Sequence, residues 1–515
     1  MWGHVKFTTK HNSIVMLSLI TMFIFLHVPT INLTFVSFEY AFWMVADHWL
    51  NPGKYSDAMG HYFHVQANPL GTSILTYLLF KITHLPIYIW TVRILSILSG
   101  ALMIITTPSI FKFFAKSDKQ KSYLGATLIA INPLIWMLSG RMTADLLPVG
   151  LLFLAVVFLV KMPTNWASVL LTTLTFSCAV ITKFHSAFLG LIFLFILIKK
   201  TEYKINSKLL KKCLFLAIFS SASLLTYLLI IKSNYGFFVI PESQKSLLKL
   251  NIFGFFRTLF EYGFFTSVLL GPLSLFTVFN FYKVTNRKSF VIQLFAALII
   301  STIFTLLPSQ AGEMDFSFLS EFLALPIIKI IQVSGFTLFI LLFLDISKKC
   351  FKKKNELSRF VALAVFPLML VLSFSRPAQR YLIFIIPFLI IFIVNQYIRK
   401  DFISKVLLSI NTIFCITVIL LFSSYHNAQS YSVNNMQNWI VKNGYLKTTH
   451  PGDLRPFFTH LYINDIDVNP KNHFVTNDPG DQKVIHKEPV SLFGSFKIRT
   501  FYLIELRKPM KYIAR

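Results

Sequence analysis

Residues 146–160 read LLPVGLLFLAVVFLV, a run without a single charged side chain. Apolar runs of similar length recur along the chain from Ser13 to Phe422. Runs this long are typical of membrane-spanning segments rather than of helices in a soluble core. Inside a bilayer each segment must satisfy its own backbone hydrogen bonds, so these runs should be helices. The sequence therefore predicts an all-α polytopic membrane protein.

The composition agrees with this class. Of the 515 residues, 55% are hydrophobic and 14% are charged, whereas a soluble domain carries about a quarter charged residues. The net charge is +28, but 22 of the 49 Lys and Arg residues lie in five short segments between the apolar runs. This is the positive-inside pattern of cytoplasmic loops, and it argues against nucleic acid as a partner. The five segments are Lys112–Lys121, Lys199–Lys212, Lys283–Lys288, Lys348–Arg359 and Arg399–Lys405.

The topology follows from placing the N-terminus and every basic segment in the cytoplasm, which requires about thirteen spans. The first outer loop is long, and its apolar stretch Pro69–Ile82 is too short to cross, so we expect it to lie along the membrane surface as a helix. The predicted spans are residues 14–36, 86–111, 122–138, 146–160, 166–181, 184–198, 213–231, 264–282, 290–307, 327–345, 360–374, 382–397 and 406–422.

Two domains are predicted. Residues 1–422 form the transmembrane domain, and the polar tail, residues 423–515, forms a small extracytoplasmic α/β domain. Within the tail, Ser430–Lys442 could be an amphipathic helix, and Val490–Leu506 alternates as one or two strands do. All four cysteines lie in or beside spans, so no disulfide framework is predicted.

Acidic residues on the predicted outer side are few. Glu39 directly follows the first span, where its carboxylate could accept a proton from an incoming hydroxyl or could cap the helix that follows it. Asp145 stands at the outer start of the fourth span. Taken alone, it is best explained as a partner of that helix's dipole, in an ion pair with Arg141.

The outer cations have two explanations each. Lys183 runs against the positive-inside pattern, so it is either a phosphate ligand or a snorkelling side chain. Arg376 and Arg380 lie in one outer turn with Tyr381. Two guanidinium groups suit a lipid phosphate better than interfacial anchoring. The trio Asp57, His61 and His64 does not have a known metal-ligand spacing, and a surface helix explains it better.

Several short elements, in a fixed order, resemble the GT-C glycosyltransferases, in particular the branch of protein O-mannosyltransferases and lipid A aminoarabinose transferases. Where the aminoarabinose branch has a lysine before the proline of the surface helix, this chain has Asn68. The matching elements are Ser37–Tyr40, Asn68–Leu70, Thr91–Ser96, Asn132-Pro133 through Gly140-Arg141 to Asp145, Ile181–Lys183, and Arg380-Tyr381 running into Ile386-Pro387.

The resemblance implies an inverting sugar transfer from a polyprenyl-phosphate donor, undecaprenyl phosphate in a bacterial inner membrane, to a lipid, glycan or protein acceptor. The resemblance assigns the role of catalytic base to Glu39, which Asp145 would orient. It implies that the donor phosphate is bound by Lys183, Arg376, Arg380 and Tyr381. No metal ligands are implied, although a divalent metal ion is left open.

Two other classes are weighed against this one. A polymerase or ligase of surface polysaccharide is also polytopic, but it is expected to have its dominant outer loop in mid-chain. A transporter or flippase without chemistry predicts repeat symmetry and charges inside the spans. The long early outer loop, with an acid at its start, favours the glycosyltransferase.

The topology can be tested with reporter fusions at Lys204 and Asn469. Because an odd number of predicted spans separates these positions, an alkaline phosphatase fusion should be active only at Asn469 and a green fluorescent protein fusion should fluoresce only at Lys204. The same reporter active at both positions would contradict the predicted topology.

Overall fold

The fold is built almost entirely of helices. The computed structural model describes residues 9–33, 39–52, 58–65, 68–86, 88–115, 119–162, 165–204, 206–239, 241, 252–284, 286–306, 325–352, 355–374, 378–443, 473–476, 480–492 and 496–505. The α-helices are α1 Thr9–Phe25, α2 Glu39–Leu50, α3 Ala58–Val65, α4 Gly71–Thr83, α5 Ile89–Val92, α6 Ile94–Ala115, α7 Lys119–Ala130, α8 Pro133–Ser139, α9 Leu146–Lys161, α10 Trp166–Thr182, α11 Gly190–Lys200, α12 Ser207–Tyr235, α13 Ile252–Leu270, α14 Leu275–Val284, α15 Arg287–Thr305, α16 Leu325–Cys350, α17 Glu356–Leu372, α18 Ile386–Gln396 and α19 Phe402–Lys442. Short 3-10 helices occupy Phe184–Leu189, Gly271–Ser274 and Gln379–Phe384.

Twelve of the thirteen predicted spans coincide with a helix or with a pair of consecutive helices. The first, residues 14–36, is helical only as far as Phe25, and residues 26–33 form turns. Six helices of the described chain are long and apolar enough to cross a membrane, or seven if α7 and α8, which are bent by 58°, form one span. Four shorter apolar helices lie over further predicted spans, at residues 13–25, 146–161, 166–182 and 386–396. The helical membrane protein is thus confirmed, whereas the number of thirteen crossings stays a prediction.

Two further helix boundaries differ from the predicted ones. Helix α13 begins at Ile252, within the stretch predicted to be an outer loop, because Ile252–Leu270 is apolar from its first turn. Helix α19 runs without a break through the predicted domain boundary at residue 422. No glycine or proline interrupts residues 423–442, so the helix continues although the side chains become polar.

The centre of the helical domain is α18. All nine residues from Ile386 to Val394 are buried, eight of them at 1% exposure or less, and a helix that is apolar on every side is one that other helices surround. Helices α6 and α9 pack closely beside it. A Cβ atom on Gly150 of α9 would lie 2.6 Å from the Cβ atom of Ser99 in α6, so only glycine permits this distance between the two backbones.

A second core lies under the surface helices α2, α3 and α4. Phe42, Trp43, Tyr62 and Phe80 from these helices pack with Met142, which belongs to the segment between α8 and α9. The predicted surface helix at Pro69–Ile82 is therefore α4. This helix is attached to the helical domain beside the candidate site residues, because Met142 belongs to the segment that ends in Asp145.

The small sheet packs against the last part of α19. Strands β1 His473–Thr476, β2 Lys483–Leu492 and β3 Phe496–Glu505 are antiparallel in the order β1-β3-β2. Val433 and Met436 of α19 pack with Val490 and Phe501 of the sheet. Strands predicted within Val490–Leu506 are thus present, but the helix that supports them is the continuation of α19 rather than a separate element.

Candidate active site

Three helix ends meet at Asp145, Lys183 and Arg380. Asp145 immediately precedes α9, and Lys183 immediately follows α10. These two helices form an antiparallel hairpin, which places the start of one beside the end of the other. Arg380 is the second residue of the 3-10 helix Gln379–Phe384. The chain therefore brings together three charged residues that are 38 to 235 positions apart in sequence.

These charges form a buried ion cluster. Lys183 Nζ lies 2.9 Å from Asp145 Oδ1, and Arg380 Nε lies 3.4 Å from Asp145 Oδ2. Lys183 is 1% exposed and Asp145 3%. The ammonium group of Lys183 is thus not snorkelling toward the membrane surface, which was the alternative to a ligand role. Its charge is compensated inside the protein, as a buried charge must be.

Tyr381 and Asn68 complete the cluster. Lys183 Nζ lies 4.3 Å from the centre of the Tyr381 ring and 2.5 Å from Asn68 Oδ1, to which it donates. Asn68 precedes α4, and a Cβ atom on Gly71 would lie 2.4 Å from the carbonyl oxygen of Ile181. Because Gly71 lacks this atom, α4 approaches the end of α10 closely enough for Asn68 to reach Lys183.

The electrostatics of the cluster keep Asp145 ionised. Burial by itself raises the pKa of this carboxyl, but the positive charges of Lys183 and then Arg380 more than offset burial, so that the pKa of Asp145 is lowered from its ordinary value. Its side chain does not cap α9. The predicted ion pair with Arg141 is wrong, because Asp145 pairs with Lys183 and Arg380 instead.

Glu39 lies in a different ion pair. Arg93 donates from Nε to Glu39 Oε1 at 3.0 Å and from Nη2 to Oε2 at 2.9 Å. Both side chains are buried, at 0% and 1% exposure. The backbone N–H of Met142 also donates to Glu39 Oε1, at 2.7 Å. Glu39 therefore contacts the segment that ends in Asp145, but it does not contact Asp145 itself.

The segment Gly140–Asp145 links the two ion pairs. Glu39 holds it at Met142, and Lys183 and Arg380 hold it at Asp145. Of the residues predicted for the site, the structure thus brings together Asp145, Lys183, Arg380 and Tyr381, and it places Glu39 beside them.

Some predicted residues lie outside the described part of the chain. Arg376 and Asp57 belong to stretches that the structure does not describe, and so do the side chains of His61 and His64. Among the residues that it does describe, no group of three or more His, Cys, Asp or Glu side chains is arranged to hold a metal ion.

Three further residues were not predicted for the site. Arg93 was visible as a charge inside an apolar run, which is a recognised signal of function in membrane proteins. His185 lies two residues after Lys183, and its ring centre is 5.1 Å from that of Tyr381. Asn68 was noted only as a replacement for a family lysine. No sequence pattern indicates that the last two residues would meet at Lys183.

Comparison with solved structures finds similar chains at low identity. No family model matches the sequence, and no curated protein matches it significantly. Apo ArnT from Cupriavidus metallidurans is similar with a TM-score of 0.43 and 10% identity over 96% of this chain and 98% of that chain. The same protein bound to undecaprenyl phosphate gives a TM-score of 0.42 and 11% identity over 97% and 99%.

A second similar solved structure is that of the oligosaccharyltransferase of Archaeoglobus fulgidus. Its apo form gives a TM-score of 0.33 and 14% identity over 73% of this chain and 56% of that chain. Both proteins are GT-C glycosyltransferases, the superfamily that the sequence elements resemble. At these identities and scores the function has to be argued from the site itself.

The ion cluster makes a prediction about stability. Asp145→Asn leaves the charges of Lys183 and Arg380 uncompensated, so we expect the free energy of unfolding to fall by about 3–5 kcal/mol at neutral pH. The double variant Asp145→Asn/Lys183→Met should recover part of this loss, because it removes one of the two cations. Unfolding of the detergent-solubilised protein, followed by circular dichroism, measures both effects.

The pH dependence has a defined sign. Because the pKa of Asp145 is lowered in the folded protein, its stabilising effect is present above the ordinary carboxyl pKa of about 4 and is lost as the pH falls below it. The difference between wild type and Asp145→Asn should therefore shrink in acid. Glu202→Gln, at an exposed position, is the control. Equal stabilities at neutral pH would contradict the ion cluster.

Proposed function

We propose that the protein is a membrane glycosyltransferase that transfers a sugar from a polyprenyl-phosphate donor to an acceptor at the extracytoplasmic face. The observation that carries this proposal is the buried cluster of Asp145, Lys183 and Arg380, with Tyr381 and Asn68 around it. A buried ion cluster is seldom more stabilising than apolar residues of the same volume. Its presence between three helix ends therefore favours a role in binding or chemistry.

The donor phosphate would bind to the cations of the cluster. Arg380 is the more accessible cation, since its side chain is 21% exposed while that of Lys183 is 2% exposed. A phosphate that arrives at Arg380 can therefore be held by the guanidinium fork first. It reaches Lys183 by replacing contacts that the ammonium group makes with Asp145 or Asn68. Arg376, four residues before Arg380, is proposed as a further phosphate ligand on the family resemblance alone.

The chemistry of the transfer assigns a task to these cations. The acceptor oxygen attacks the anomeric carbon, and the bond from that carbon to the phosphate oxygen breaks with inversion. The polyprenyl phosphate leaves with one more negative charge than it had in the donor. Lys183 and Arg380 are positioned to stabilise this developing charge in a site of low polarity.

The proton of the acceptor has two candidate destinations. Glu39 was predicted as the base, but the two parallel hydrogen bonds from Arg93 keep its carboxylate engaged. Asp145 is paired with Lys183 and Arg380, and the donor phosphate would bind to the same two cations. As these cations turn to the phosphate, Asp145 becomes more basic and can accept the proton. We therefore propose Asp145 as the base and Glu39 as a positioning residue that holds the segment at Met142.

The donor lipid, the membrane and the acceptor class are parts of the same proposal. The sequence resemblance favours undecaprenyl phosphate and a bacterial inner membrane, with the N-terminus in the cytoplasm and the C-terminal sheet outside. The acceptor is a lipid, a glycan or a protein.

The phosphate ligands can be tested by measuring sugar transfer. Lys183→Gln and Arg380→Gln should each reduce kcat/KM by about 10²–10³, because each removes a charged donor from the leaving phosphate. Lys161→Gln is the matched control, since Lys161 is an exposed lysine at the far end of α9. The assay is release of polyprenyl phosphate from a radiolabelled polyprenyl-phosphate sugar by the purified protein. Unchanged turnover in both variants would remove the cluster from the mechanism.

The roles of the two carboxylates can be separated with paired variants. Glu39→Gln leaves Arg93 without its counterion, so it should lose transfer by displacing the segment at Met142. Glu39→Gln/Arg93→Gln leaves no unpaired charge there and should recover part of the activity. Asp145→Asn should be inactive, and no second substitution combined with it should restore transfer. If Asp145→Asn retains transfer while the double variant at Glu39 and Arg93 folds but stays inactive, Glu39 rather than Asp145 is the base.

A further inference from the structure

A recess borders the first residues of the segment Gly140–Asp145, whose last residue belongs to the ion cluster. Its cavity volume is about 10 Å³, room for about one water molecule, and it is partly open to solvent. Two guanidinium groups line it, those of Arg93 and Arg141, together with the imidazole of His426 from α19. Its remaining lining is formed by Thr30, Leu33, Trp136, Met137 and Gly140. Because Arg93 is paired with Glu39, the recess is a small hollow whose positive charge comes from Arg141.

Arg141 is half-buried, and it differs in its partners from the fully buried cations of this protein. Arg93, Lys183 and Arg257 each pair with a carboxylate at 2.9 Å. Within the described chain Arg141 has no carboxylate within ion-pair distance, and its buried Nε has no hydrogen-bond acceptor. A half-buried charge without a counterion loses part of its hydration without compensation. Within the described part of the chain, Arg141 thus has the environment of a cation that can bind an anionic ligand.

The one side-chain partner that the structure gives Arg141 leaves most of its donors available. Arg141 Nη2 donates to His426 Nε2 at 2.5 Å, so the ring accepts at that atom and is neutral. A guanidinium group has five N–H donors in a planar fork. Burial lowers the pKa of Arg141 to about 10, which leaves the group charged at neutral pH. A fork held by one neutral ring can still offer two parallel hydrogen bonds to an anion.

We propose that Arg141 and the recess beside it bind an anionic group, a phosphate or a carboxylate, on the acceptor. The identification of this ligand as the acceptor rests on the proposed function, since the recess borders the start of the short segment whose last residue is Asp145. The recess is too small to enclose a whole ligand, so a single acidic group would bind at its opening. Arg141 supplies the fork, whereas the charge of Arg93 at the wall is balanced by Glu39.

The proposal can be tested first by anion binding, without any sugar transfer. The full-length protein in detergent is dialysed against radiolabelled inorganic phosphate at constant ionic strength. Wild type should bind phosphate at two sites. Arg141→Gln should weaken one of them about tenfold or more, as expected for the loss of hydrogen bonds from a charged donor. Lys183→Gln should weaken the other site, and the double variant both.

Two controls make the binding result specific. Arg287→Gln removes an exposed arginine at the start of α15 and should leave phosphate binding unchanged. Arg141→Lys keeps the charge without the planar fork and should bind with intermediate affinity. Acetate as a competitor distinguishes the two ligand chemistries, because it displaces phosphate from a carboxylate site at comparable concentration. Phosphate binding that is the same in wild type and Arg141→Gln would overturn the proposal.

Thermal unfolding distinguishes a ligand role from a structural one. If Arg141 serves to bind an anion, Arg141→Gln without phosphate should melt at or above the wild-type temperature, because an uncompensated charge has been removed. Phosphate should then stabilise wild type more than the variant. If Arg141 serves instead to hold α19 through His426, the variant melts lower with and without phosphate, and the proposal is wrong.

Transfer kinetics connect the recess to the acceptor. With an acceptor that wild type uses, Arg141→Gln should raise KM for the acceptor about tenfold or more relative to wild type. Lys183→Gln should mainly affect the kinetics of the donor. If wild type transfers no sugar, the proposed function fails, and the dialysis result still decides whether Arg141 binds an anion. If transfer occurs and KM for the acceptor is unchanged in Arg141→Gln, the acceptor assignment is overturned.

Discussion

The pairing of buried charges in a poorly polar surrounding is the constraint on which this structure depends. The segment Gly140–Asp145 connects α8 and α9, and two ion pairs with buried carboxylates hold it at Met142 and at Asp145. Glu39 and Arg93 hold it through the backbone of Met142. Lys183 and Arg380 hold it through Asp145. Charges buried in this way must keep their partners, so the segment has little freedom to move.

This constraint places the polar chemistry at one level of the helical domain. Four elements meet at Lys183: the start of α9, the end of α10, the 3-10 helix with Arg380 and the start of α4. Close backbone contact at Gly71 brings the surface helices to this level. A lipid-linked substrate could thus present its phosphate here while its chain remains among apolar side chains. The recess at Arg141 borders the start of the same segment, where the proposed function would place the acceptor.

The burial of these groups also explains why several explanations from the sequence had to be changed. Lys183 could have snorkelled toward the interface, but at 1% exposure it is enclosed with Asp145. Asp145 could have paired with its neighbour Arg141, yet the guanidinium of Arg141 turns to His426 on a helix 285 residues away in sequence. Neighbours in a chain compete with all the partners that packing brings near, and only the folded arrangement decides between them.

What the sequence determined by itself is the set of helices. Hydrophobic runs act within 15 to 25 residues, because a bilayer requires each segment to satisfy its own backbone hydrogen bonds. The predicted spans are therefore helical, the first of them only as far as Phe25. The sequence also singled out the charged outer residues. Only the tertiary structure decided which of them meet: Asp145 with Lys183 and Arg380, Glu39 with Arg93, and Arg141 with His426. These contacts depend on how helices pack over long separations, for which a single sequence carries no local signal.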